Sequence, residues 1–441
     1  MGVTVFGRMS RQSDLLFFGD LIVFYRLSLL LVFLTVGVTD SLLADDLEVF
    51  PTDVALRYST DLQRLVAVLH TEKGSREVTT DVTYDIANSD IVEVGSDGVL
   101  HPRGNGNTTI TVQIGEIQKQ IRVGVTDFEL DGPVSFELHI QPILAARGCS
   151  TGPCHGKARG QNGFQLSLLG FDSDFDFNAL TREARGRRIF PASPKESLLL
   201  KKGAGHVPHG GGIRLPDDSH DYQTIKRWIE TGAPRSIDQE PVLESVEIFP
   251  TDRVMVPSET QQLVVIASYS DGTQRDVTGQ SAFQSNESVV VGVTDEGVIK
   301  SGPIPGEATI MARFMGAIAT CRVLIPLEGE VPDEYYTELP RKNFIDSKVW
   351  DKLQLLGITA SQPASDSKIV RRLYIDIIGR LPTPEETQQY ISDTHPEKLD
   401  KLVDWLLEQP EYADHWANKW TDLLRPNPYR VGIKAVLNYD N

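Results

Sequence analysis

Cysteine is scarce in this chain, with three in 441 residues. That excludes a small fold stapled by several disulfides, because three thiols form one bridge at most. Positive charge is also short: 43 Lys and Arg stand against 61 Asp and Glu, a net charge of -18. An acidic surface repels a phosphate backbone, so nucleic acid is not an expected partner. The nearest basic stretch, TREARGRRIF at 181–190, is too short to change this. Long apolar runs are missing as well. The twelve uncharged residues LSLLLVFLTVGV, Leu27 to Val38, are too few to cross a bilayer. The chain also lacks a nucleophile elbow, a helix with paired metal ligands and a phosphate loop, so no enzymatic activity has a signature here.

What is present begins with an address. Arg8, Arg11 and Arg26 lead into the apolar run, and Ala44 in TDSLLADD is a small residue at a cleavage point. This pattern predicts a signal peptide over 1–44, export to the periplasm or cell surface, and no transmembrane span after cleavage. Met9 is an alternative start, and retention of the segment as an anchor is the alternative outcome. In an oxidising compartment free thiols are rare.

The length implies three or four domains. Two segments read alike: LEVFPTDVAL from Leu47 and VEIFPTDRVMV from Val246 place Phe50 opposite Phe249, an offset of 199. Further on, DVTYDIANSDIVEVGSDGVL and DVTGQSAFQSNESVVVGVTDEGVI place Asp81 opposite Asp276, an offset of 195. Each copy consists of short alternating apolar runs separated by Gly, Asp, Asn and Pro turns, the pattern of a small antiparallel sandwich. Copy one is bounded at 46–126 and copy two at 242–326. An acidic linker, 327–340, follows, and then a helical region at 341–441 that ends without a terminating feature and is expected to be truncated. There Ile369, Leu373, Ile377 and Leu381 share a helical face, and Thr383, Pro384 and Glu386 form a helix start. Trp416 and Trp420, four apart, are expected in the core.

Between the copies, 134–235 carries GCSTGPCHGK: Cys149, four residues, Cys154, then His155. Two cysteines followed by His is the logic of c-type haem attachment, in which thiols add to the vinyl groups and the imidazole ligates the iron. The usual gap is two residues; Gly148, Gly152 and Gly156 would let a longer loop fold tightly. No methionine lies in this segment, since the five are Met1, Met9, Met255, Met311 and Met315. The distal ligand is therefore expected to be His209 in GAGHVPHGGG, with His206 as the alternative. Two rival readings stay open. One is a disulfide between Cys149 and Cys154, and the other is a zinc site recruiting His206 or His209. SFELHIQPILAARGC reads as a helix into the motif, and DYQTIKRWIETGAP (Asp221 to Pro234) as a closing helix with Ile225, Trp228 and Ile229 on one face. His220 reads as a solvated loop residue.

Three resemblances follow from these residues. The repeated DVT…NS…V…V…DGV…G…TIT resembles bacterial immunoglobulin-like (group 2) domains. GCSTGPCHGKARGQNGFQLSLLGFD…VPHGGG…W…GAP resembles the cytochrome c-like domain of planctomycete surface proteins. IVRRLYIDIIGRLPTPEE…LVDWLLEQPEYADHWANKWTDLLR resembles the DUF1549 family, and the order of the segments is similar to that of the same proteins. The expected fold is multidomain: two all-β Ig-like sandwiches flanking an all-α cytochrome c-like domain, then an α-helical C-terminal domain. The expected function is electron transfer through covalent haem c, with iron held by His155 and His209 and a redox partner protein. The alternative is a non-redox cell-surface protein that binds glycan or protein, its Cys–His segment stapled by a disulfide or zinc.

Overall fold

The computed structural model describes residues 46–434 apart from 72–73, 330 and 426. The signal expected over 1–44 lies outside the described residues.

Alternation of apolar and polar residues makes strands of both copies. In Gly106–Ile114, Thr108, Ile110 and Val112 turn inward; in Ile117–Val125, Ile121, Val123 and Val125 do the same. The two strands pair antiparallel with Ile110 opposite Ile121, so one face of the ribbon is continuously apolar. Between Asp46 and Val125 the strands form three sheets around one core that includes Leu47, Leu65, Val92, Leu100 and Ile121. The copy between Leu243 and Ile325 repeats this with three sheets around Leu263, Val291, Ile299, Phe314 and Cys321.

A purely antiparallel sandwich does not form in either copy. Asp53–Leu56 runs parallel to Ile117–Val125, and Asp252–Val254 runs parallel to Ala317–Ile325. Equivalent ion pairs tie these edges: Arg122 to Asp53 at 2.6 Å and Arg322 to Asp252 at 2.6 Å. Each parallel strand is preceded by a cis X–Pro bond, Phe50–Pro51 and Phe249–Pro250.

The segment between the copies corrects the expected fold class. The chain is mixed, with two β-rich regions and a helical C-terminal part, and no all-α cytochrome c-like domain separates the β-rich regions. The longest helix of 134–235 is His220–Glu230, eleven residues. From Arg147 to Asp172 the backbone is turns and a single 3-10 turn, Leu168–Gly170. Glycine is the cause: Gly148, Gly160, Gly163 and Gly170 all take positive φ, a conformation that ends a helix. Phe136, Ile140, Ile143, Ile225, Trp228 and Ile229 nonetheless close a small apolar core.

The two β-rich regions pack on each other through equivalent residues. The rings of Phe50 and Phe249 stack 4.5 Å apart at 13°. Val66, Val68, Val264 and Ile266 close a shared apolar cluster around them. The backbone N–H of Arg64 donates to the Asp276 carboxylate (2.8 Å), and the backbone N–H of Gln262 donates to the Glu77 carboxylate (2.6 Å). This reciprocity is that of an isologous interface built within one chain. It also corrects the repeat register: Glu77, not Asp81, is the counterpart of Asp276. Thr79 and Thr278, two residues beyond each carboxylate, accept the backbone N–H of Ala67 and Val265 respectively.

In the C-terminal part, Asp366–Ile378, Pro384–Ser392, Lys398–Leu407 and Pro410–Leu424 surround Val370, Tyr374, Ile378, Tyr390 and Leu406. Thr383 caps the second of these helices in a full capping box with Glu386. Trp416 and Trp420, expected in the core, are 39% and 56% exposed. Among the described residues no helix is long and apolar enough to cross a membrane.

Replacing Phe249 with Ala removes the stack and one of the six residues of the shared apolar cluster, at a cost of about 2 kcal/mol. Calorimetry on Phe249→Ala should show the two β-rich regions melting in separate steps; one unshifted transition would contradict the interface.

Candidate functional sites: a Cys–His loop and a cleft between the β-rich regions

The loop at 148–156 is held by its own backbone. The N–H of His155 donates to the carbonyl of Cys149 (3.0 Å), that of Cys154 to Thr151 (3.1 Å) and that of Gly156 to Thr151 (2.9 Å). Gly156 lies directly against the Ser150 carbonyl, where any Cβ would collide, so glycine there is a steric requirement. The ring of His155 donates through Nδ1 to the carbonyl of Phe164 at 2.9 Å and rests against the Phe164 ring. The Arg188 guanidinium lies over the Phe164 ring, 4.5 Å from its centroid, and donates to the Gly163 carbonyl. Burial, the nearby His209 and Arg188 together hold the imidazolium of His155 below the usual histidine range.

His209 donates through its own Nδ1 to the Gly212 carbonyl at 2.8 Å. With both Nδ1 atoms protonated, the two rings present their Nε2 lone pairs. The rings lie parallel within 9°, centroids 6.4 Å apart. Of the two distal candidates the structure therefore brings His209 to His155. His206 is instead paired with Asp217 at 2.7 Å.

Cys149 and Cys154 are not bonded to each other; both thiols are free and half-buried. Burial, with a smaller effect from Cys154, pushes the Cys149 thiol up to about 11. Cys321 belongs to the second β core, and burial pushes its thiol up to about 12. The zinc alternative does not assemble: among the described residues no group of three or more His, Cys, Asp or Glu is placed to hold a metal ion. A macrocycle that brings its own four nitrogen ligands needs only two imidazoles, so the pair fits that class of group and not a bare ion.

The second site was not legible as one in the sequence. An open cleft of about 1500 Å³ lies between the first β-rich region, the helix His220–Glu230 and the second β-rich region. His139, His220, Arg227 and Arg275 line it. His139 sits on the short π-helical turn Phe136–Ile140 and is 7% exposed. The backbone N–H of Ser135 points at its Nδ1 (3.2 Å), and the Arg275 guanidinium lies 2.7 Å from its Nε2. Desolvation first, then Arg275, Arg227 and His220, hold His139 well below its usual pKa, so its ring is neutral. Arg227 is buried at Nε, which has no hydrogen-bond partner. His220, read from the sequence as a solvated loop residue, begins the helix and meets the Thr60 carbonyl at 3.3 Å.

Comparison with known proteins gives the following. Residues 344–432 match the family described as Protein of unknown function (DUF1549). Over 278 residues, 63% of this chain, the sequence is 22% identical to Ice-binding protein 1 of Shewanella frigidimarina (strain NCIMB 400). The chain spans 28% of that relative's length. The S-layer protein rSbsC(31-844) is similar at 14% identity with a TM-score of 0.18, over 65% of this chain and 28% of that one. The adhesin InvE of Yersinia pseudotuberculosis is similar at 9% identity with a TM-score of 0.13, over 64% of this chain and 59% of that one. The reading of the chain as a cytochrome c-like electron-transfer protein with a metal-ion site is corrected: no all-α cytochrome c-like domain forms between the β-rich regions, and among the described residues no group of three or more His, Cys, Asp or Glu is placed to hold a metal ion.

The neutral, buried His139 sets a pH dependence. Its folded pKa is depressed, so the unfolded chain takes up a proton below about pH 6.5 and the folded chain does not. The stability it contributes is present above that pH and is lost as pH falls, by up to ~1.4 kcal/mol per unit. Urea midpoints measured at pH 7.5 and 5.5 should fall more in the parent chain than in His139→Gln. Equal falls would contradict a neutral His139.

Proposed function

We propose that this is an exported cell-surface binding protein whose paired β-rich regions form one rigid unit around a ligand cleft. The carrying observation is the reciprocal interface of Phe50 and Phe249, which fixes the two regions face to face and leaves the cleft open beside the helix His220–Glu230. A basic lead and short apolar run at the N-terminus support export. The relative named for ice binding supports a binding role. Open concave surfaces between domains are favoured places for ligands.

The test is retention of the full chain on a glycan array and on bacterial cell-envelope fractions. Saturable retention on at least one of these surfaces is expected. Retention on none would overturn the reading.

A second proposal concerns the cofactor alone: a haem that Cys149 and Cys154 would attach and that His155 and His209 would hold. The parallel imidazoles with free Nε2 atoms support it. Bound there, the group would supply an iron porphyrin held by His155 and His209. The residues' own part is to orient: Phe164 and Gly212 fix the tautomers, and Gly156 lets the loop close. Chain made with a haem-attachment system should carry one haem by mass and keep its colour after acid-acetone extraction, and His209→Ala should shift the spectrum. Colour lost entirely to the acetone would refute attachment.

A further inference from the structure

The cleft has an imbalance of hydrogen-bond roles. A neutral imidazole offers one N–H and one lone pair. At His139 both ring nitrogens face donors, the N–H of Ser135 and the guanidinium of Arg275. One donor is therefore left without an acceptor, whichever tautomer the ring adopts. The Nε of Arg227, buried and unpartnered, adds a second surplus donor. A buried unsatisfied donor costs about 1–3 kcal/mol, and such a group in a folded protein calls for an explanation.

The ion pairs show the same imbalance. Arg227 and Arg275 each lack a carboxylate within ion-pair distance among the described residues, unlike most arginines around them. Arg57 is paired with Asp127, Arg122 with Asp53 and Arg147 with Asp221. Of the carboxylates that line the cleft, three are engaged in contacts of their own. Asp53 holds Arg122, Asp61 accepts the backbone N–H groups of Arg57 and Tyr58, and Asp271 accepts from Thr273. Asp238 and Glu247 also line it. Over the whole wall carboxylates outnumber guanidiniums, Asp53, Asp61, Asp238, Glu247 and Asp271 against Arg57, Arg122, Arg227 and Arg275, so the surplus is one of hydrogen-bond donors, local to His139, Arg227 and Arg275. The rest of the wall is rich in amides and hydroxyls, among them Thr60, Gln239 and Gln280.

We propose that this cleft binds an acidic oligosaccharide, its carboxylate taken by Arg227 and Arg275 and its hydroxyls by the amide and hydroxyl wall. A guanidinium presents a planar fork matched to a carboxylate, and a carboxylate oxygen beside His139 accepts the donor that the ring leaves over. His220, at the mouth of the cleft and beside Thr60, is placed to touch the ligand as it enters. The inference rests on the surface-binding reading and names the ligand class for its cleft.

Calorimetric titration of the full chain with tetragalacturonate tests it, with maltotetraose as the neutral control and a poly-glutamate peptide as the acidic non-saccharide control. Tetragalacturonate should bind, weakening as salt rises, and the controls should bind at least about tenfold less well. Arg227→Gln and Arg275→Gln should each weaken tetragalacturonate binding about tenfold or more, the loss of one charge-assisted hydrogen bond. Lys419→Gln, far along the chain on an exposed helix, should leave it unchanged. Equal affinity for the neutral and acidic saccharides, tighter binding of poly-glutamate, or parent-like binding by both arginine variants would each overturn the proposal. Absence of tetragalacturonate binding would overturn it too. Should the chain still be retained on cell-envelope fractions in any of these cases, the surface-binding reading stands while the acidic-saccharide inference falls.

Discussion

The stack of Phe50 on Phe249 is the contact on which the rest of the arrangement depends. It joins two similar β-rich regions at equivalent positions, and the backbone bonds from Arg64 to Asp276 and from Gln262 to Glu77 add polar direction on either side of it. The apolar cluster gives the association its free energy, while the two charge-assisted bonds fix its rotation. Once that angle is set, the segment between the copies has one place to go. Leu138 enters the second β core, and Arg147 reaches from Asp221 to the Gly279 carbonyl at 3.2 Å. His220 touches the first region through Thr60. The cleft is thus a consequence of the interface and not of any one region.

The organisation of the chain was legible because it rests on local signals. Alternating apolar residues gave the strands, and the FPTD repeat gave the two copies. The capping residues Thr383, Pro384 and Glu386 gave the start of a C-terminal helix. The repeat register was not legible, for a physical reason. Asp81 and Asp276 share the string DVT, but the position that matters is defined by a bond across the interface, and Glu77 fills it with a different residue of the same charge. The fold class failed at the segment 134–235, where apolar spacing suggested a helical domain. Its glycines in positive φ hold more of the backbone in turns than the spacing of apolar residues implied. Trp416 and Trp420 share a helical face as their spacing requires, yet that face is partly open, since periodicity fixes a face and not what covers it.

The two sites differ in the same way. The Cys–His loop is contiguous, so Cys149, Cys154 and His155 could be picked out by spacing, and the partnership of His155 with His209 follows from a second glycine-rich loop. The cleft residues are scattered. His139, Arg227 and Arg275 come from three segments, and each alone resembles a residue on a solvated helix or strand. The sequence clue available was narrow: SFELHIQ places a histidine on the apolar side of a helical turn, where burial costs it its charge.

A donor-rich pocket inside an acidic chain needs a reason to persist. Like charges beside a buried ring oppose folding, and desolvation already lowers the proton affinity of Arg227. If these side chains served stability alone, a carboxylate in place of Thr224 or Gln280 would relieve the strain, as Asp221 does for Arg147 one turn away on the same helix. Asp131 and Asp61 ease the charge of Arg227 from a distance, yet among the described residues neither forms an ion pair with it, and Asp61 accepts backbone N–H groups instead. The Phe50–Phe249 interface is apolar and does not depend on the pocket's charges. That arrangement suits a binding surface: polar groups left incomplete in the free protein, held in place by an apolar contact whose Phe50 and Ile266 also form part of the cleft wall.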